Sequence, residues 1–133
     1  MVRLVLLATC MFAAVTAATA QVTESDVVGV YFDPAYTTND MVTPSLPHLQ
    51  TAYLVLHNPT QTAGGIGGWE CRIDMANYQP MVQWHLVGDA VNYETPPEFV
   101  VGYTDALPVT GPDALLATFD MWIDEDTPME IQP

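Results

Sequence analysis

The sequence predicts an all-β domain, an antiparallel β-sandwich of about six or seven strands. Three observations carry that prediction. Several short segments alternate with period two, and successive side chains of a strand point to opposite faces. Clusters of Gly, Pro, Asn and Asp separate these segments at short intervals, the spacing of sandwich turns. No stretch beyond residue 20 carries an amphipathic helical period, although half of the composition is apolar and a core is within reach.

Residues 1–20 read as a secretory signal peptide. Met1-Val-Arg3 is a short positive start, Leu4 to Val15 is an apolar run, and Ala18-Thr19-Ala20 is a small-x-small cleavage site before Gln21. The run is shorter than the roughly 20 residues that a membrane span needs, and no later stretch approaches that length. A lipoprotein-type site at Cys10 fits less well, because the apolar run continues past it. The expected location is secreted or periplasmic. A bacterial cell is expected, because no glycosylation sequon is present; Asn58-Pro59-Thr60 is blocked by its proline. Residues 21–133 then form a single β-sandwich domain, long enough to fold without cross-links.

The first strand, Ser25 to Phe32, is apolar on both sides and ends at Asp33-Pro34, where proline removes a ladder donor. Ala35 to Pro47 is a long loop. His48 to His57 is the second strand, stopped by Asn58-Pro59. The third starts at Trp69 and alternates cleanly: Trp69, Cys71, Ile73 and Met75 on a dry side, Glu70, Arg72 and Asp74 on a wet one. The glycines of Gly64-Gly65-Ile66-Gly67-Gly68 precede this strand, not a helix, so they offer backbone freedom and not a phosphate cradle.

Met81 to Val87 is the fourth strand, and the short Asn77-to-Pro80 turn predicts an antiparallel hairpin with the third. Glu98 to Thr104 is the fifth, after a loop from Asn92 to Pro97. The sixth, Asp113 to Asp124, places Leu115, Ala117, Phe119, Met121 and Ile123 on one face and Leu116, Thr118, Asp120, Trp122 and Asp124 on the other. Met129-Glu-Ile131 reads as the stub of a seventh. The expected core is Val28, Val30, Leu54, Leu56, Trp69, Cys71, Ile73, Val82, Leu86, Val100, Phe119 and Met121. In architecture the pattern of residues 25–131 resembles small exported immunoglobulin-like domains, without the disulfide of true immunoglobulin domains. Such a likeness carries no function by itself.

Charge narrows the partners. The formal net charge is −14, and Arg3 and Arg72 are the only Lys or Arg residues against sixteen Asp and Glu. Such a chain cannot neutralise phosphates, so nucleic acid and anionic membranes are excluded as partners. An acidic exterior keeps a secreted domain soluble. Cys71, the only cysteine beyond the leader, cannot form an internal disulfide and reads as a buried thiol; the alternative is a bridge between chains.

No catalytic constellation is legible, and no enzyme is expected. The two serines, Ser25 and Ser45, lie outside any Gly-x-Ser-x-Gly turn. His48, His57 and His85 show no zinc-ligand spacing. The acidic Asp124-Glu125-Asp126 run and the Asp33/Asp40 loop lack the regular spacing of a calcium loop, so no metal and no cofactor is assigned. Glu70 and Asp74 stand ~13 Å apart along a strand by its rise, beyond the separation of a glycosidase pair. Arg72 between them reads as charge pairing.

The expected function is a non-catalytic binding or structural module. It would meet an unknown protein through the 33–47 and 58–68 loops or an exposed strand edge, as a monomer or an edge-assembled oligomer. The alternative is a carbohydrate-binding module. There Trp122 would offer its ring to a glycan while Asp120 and Asp124 accept hydroxyl hydrogens.

Overall fold

The computed structural model describes residues 24–40, 45–60, 63–126 and 128–133. The expected leader at 1–20 and its cleavage site lie outside these residues. Among the described residues every regular element is a strand: β1 (Val27–Tyr31), β2 (His48–His57), β3 (Ile66–Arg72), β4 (Asp74–Ala76), β5 (Met81–Leu86), β6 (Ala90–Asn92), β7 (Glu98–Leu107), β8 (Asp113–Ile123) and β9 (Glu130–Gln132). All pairings are antiparallel. They make a four-stranded sheet β1-β2-β8-β5, a three-stranded sheet β3-β7-β6 and a two-stranded pair β4-β9.

One hydrophobic core joins the two larger sheets. Leu54, Leu116, Phe119 and Met121 come from the first, Phe99 and Val101 from the second, and all are buried. Trp84 wedges between them, its ring 4.3 Å from Phe119 and 4.6 Å from Phe99 between centroids.

The expected third strand is broken at Ile73. β3 stops at Arg72 and β4 starts at Asp74: the Ile73 amide still donates to Pro97, its partner in the β7 register, at 3.0 Å, but proline has no N–H to extend the ladder, and from Asp74 the chain pairs with β9. Ile73 keeps the inward phase of Trp69 and Cys71, and its side chain lies in the core at 1% exposure. β3 also begins earlier than expected and includes Gly67 and Gly68. A Cβ on Gly68 would stand 2.6 Å from the Val101 carbonyl oxygen, so the close approach of β3 to β7 requires a glycine there.

The expected hairpin between the third and fourth strands does not form. β3 pairs with β7 and β5 with β8, so the 77–80 turn carries the chain from one sheet to another. Strand order also departs from the immunoglobulin one, whose sheets run ABED and CFG. Lettering the seven strands of the two larger sheets in chain order gives ABGD and CFE. The short link after β6 closes it on β7 as a hairpin, and the 108–112 connection then carries β8 to a place beside β2.

Two face assignments are corrected. Val100 is 41% exposed, whereas Phe99 and Val101 are buried. Val100 stands opposite Glu70, on the wet side of β3, and Phe99 and Val101 stand opposite Cys71 and Trp69. On β8 a bulge separates the pairs Leu54–Ala117 and Val55–Leu115, so the alternation slips by one residue. Leu116 therefore points into the core with no exposure, and Leu115 lies on the other face.

Candidate functional site

The outer face of the four-stranded sheet, turned away from the core, has two unlike halves. Over β1 and β2 it is roofed by aromatic rings. Asp33 folds the turn after β1 by accepting from the Ala35 and Thr37 amides at 3.1 and 2.9 Å, and from the Thr38 amide at 2.5 Å. This places Tyr36, with φ of 57°, beside Tyr31 and Tyr53 at ring separations of 6.3 and 6.0 Å. Tyr31 in turn meets His57 edge-on at 5.0 Å. Desolvation, then the Asp113 charge, pushes the Tyr31 and Tyr36 phenols up. Beneath the rings His57 Nδ1 lies 2.6 Å from Asp113 Oδ1, and His57 Nε2 is buried with no partner among the described residues.

Over β8 and β5 the same face is open. The cross-strand register aligns Leu49, Trp122 and Met81 in one row, with 59%, 40% and 73% of each in solvent. The next row is Thr51, Asp120 and Gln83. Asp120 accepts from the Thr51 hydroxyl at 2.6 Å and lies 3.4 Å from His85 Nε2. Leu49, Met81, Gln83, Asp120 and Trp122 border a shallow depression of about 210 Å³.

The structure thus brings Trp122 and Asp120 to one face. Asp124 is engaged elsewhere: past the end of β8 its carboxylate accepts from the Tyr78 hydroxyl, and its amide donates to Tyr78 Oη at 3.2 Å. That tie pins the turn before β5 to the end of β8, and the hydrogen bond raises the Tyr78 phenol. Leu49, Met81 and Gln83 were not legible as neighbours of Trp122, because register between distant strands leaves no trace in a single strand's pattern. Only the exposed phase of Met81 and Gln83 in an alternating strand was available as a signal.

Arg72 and Cys71, singled out in the sequence, have structural settings. Arg72 Nε donates to Asp74 Oδ1 at 2.8 Å and its Nη1 to Glu98, with Glu98 taking the place expected of Glu70. Burial, with a smaller push from Glu98, raises the Cys71 thiol to about 11. Among the described residues no three His, Cys, Asp or Glu side chains converge as metal ligands. No helix among them is long and apolar enough to cross a membrane.

These features define an all-β protein with antiparallel sheets and a solvent-exposed apolar row around Trp122. Comparison with protein-family models, with curated proteins and with solved structures finds no match.

Proposed function

We propose that the protein is an exported, non-catalytic binding module of the cell envelope or extracellular space, a β-sandwich that meets its partner on the open face around Trp122. One observation carries this reading: an indole left 40% exposed between two still more exposed apolar side chains, Leu49 and Met81. Isolated apolar residues on a surface are ordinary. A row of three across adjacent strands, including Trp and Met, has the composition of an interface centre. Asp120, in the polar row beside it, disfavours anionic partners.

A non-catalytic role is supported by the condition of the reactive groups. The outer nitrogen of the His57–Asp113 pair is sealed from solvent, so it has no route to a substrate proton. The raised Cys71 thiol is a poor nucleophile.

A glycan is the second reading, favoured by the Gln83 and Asp120 side chains next to the ring. The test uses the full chain and the L49K/M81K variant. Both are immobilised against the culture fluid of the producing cell and against a glycan array. A protein or glycan retained by the wild type and lost by the variant supports the open face. Equal retention by both moves the binding site away from Trp122.

A further inference from the structure

On the other side of β8 from Trp122, the core opens into a cavity of about 560 Å³ beside the C-terminal strand. That volume lies within the range of small-molecule sites. Its inner wall is apolar: Val30 and Met121 of the large sheet, Ile123 at the end of β8, and Met129 and Ile131 facing them from the β9 side. Its rim is acidic. Asp40, Glu125, Asp126 and Glu130 all line it, all are exposed, and none is paired with a cation among the described residues. Among the described residues, no Lys, Arg or His lines it.

The apolar wall and the charged rim ask for different parts of one ligand. A bare metal ion would leave the apolar wall unused, and the rim carboxylates do not converge as a ligand group. A neutral apolar molecule would leave the carboxylates without a partner. An anionic amphiphile would set its head group among like charges, at an energetic cost. Arg72, the only Lys or Arg among the described residues, is held by Asp74 and Glu98 and does not border the cavity. We infer that the cavity is a binding site for a small organic cation with an apolar body, its ammonium or guanidinium group at the carboxylate rim and its apolar part against Val30, Met121, Ile123 and Ile131.

Three probes with one tail separate the contributions: octylammonium, octanol and octanoate, each titrated calorimetrically into the full chain at low ionic strength. Octylammonium is expected to bind one molecule per chain, about tenfold or more tighter than octanol, with octanoate weakest; added salt narrows the gap. E125Q/D126N/E130Q, three exposed changes, should bring octylammonium down to the affinity of octanol while octanol binding stays. I131W, which fills the cavity from a half-buried position, should abolish binding of both. Octylammonium binding no tighter than octanoate overturns the inference. So does cation binding that survives I131W, or that takes up several molecules per chain, because diffuse surface charge would then account for it. Because L49K/M81K lies on the opposite face of β8, its failure or success leaves this result unaffected.

Discussion

His57 and Asp113 face each other across the first pair of the β2–β8 ladder, with Nδ1 and Oδ1 2.6 Å apart. Among the described residues, Asp113 is the hydrogen-bond partner of a ring that is 6% exposed and whose second nitrogen has none. D113A would leave both nitrogens of a buried imidazole unsatisfied, at about 1–3 kcal/mol of stability. D113N keeps an acceptor and should cost less. The double change H57F/D113A, which removes the polar ring as well, should recover part of the loss. Urea unfolding of the four proteins measures this. A D113A midpoint equal to that of the wild type would show that the contact contributes nothing.

The face assignments of β7 and β8 give a second, sharper pair of tests. Phe99 is 2% exposed and stacks on Trp69 with ring centroids 5.8 Å apart, and Leu116 is fully buried at the bulge. F99A should destabilise by about 3–5 kcal/mol and L116A by about 2–5 kcal/mol. V100S, on the wet side beside Phe99, should stay within about 0.5 kcal/mol. If V100S cost as much as F99A, β7 would be out of phase with this description.

These two residues also show what a sequence discloses and what it withholds. The six longer strands were legible, because each has an apolar periodicity bounded by turn residues. The sidedness of Trp69, Cys71 and Ile73 was legible too, because charged residues alternate with them. Phe99-Val100-Val101 has no such contrast, so its phase was set only by pairing with β3. The bulge at Leu115 and Leu116 was hidden for the same reason, since both residues are leucines and a slip of one register step leaves the pattern apolar. Strand order was not legible at all. It depends on which edges meet after collapse, and the short 77–80 link that suggests a hairpin equally permits a crossing between sheets. Of the candidate site, the exposure of Trp122 and Asp120 followed from alternation, whereas the company of Leu49 and Met81 needed the register.

Cys71 offers a prediction on reactivity. Its strand alternation turns it toward Phe99, and burial raises the thiol from 9.0 to about 11. The shift leaves about a hundredfold less thiolate than an unperturbed cysteine near neutral pH. A bulky aromatic disulfide reagent at pH 8 should label the folded chain at least that much more slowly than the urea-unfolded chain. Labelling at equal rates would mean that the inward face of β3 is open to solvent, and the core described here would not hold.

The loops that flank β1 should loosen in acid, and the sign follows from two carboxylates. The Thr60 hydroxyl and amide donate to Asp26 at 2.6 and 2.8 Å and hold its carboxyl below the ordinary value. For Asp33, desolvation is the largest single influence and acts upward, but the hydrogen bonds from Thr38 and Thr37 together outweigh it and the carboxyl is again lowered. A carboxyl lowered on folding stabilises fully above its unfolded pKa of about 3.9, and that contribution disappears as pH falls through the folded value. The amides of Thr38 and Thr60 should therefore keep their native chemical shifts down to about pH 4 and move together below it, while core amides such as that of Leu54 stay unchanged. D33N and D26N should give the acid-form shifts of their own loop already at pH 7. A transition centred above pH 4, or loops that do not respond to either substitution, would show that these carboxylates do not organise the turns around Tyr36 and Thr60.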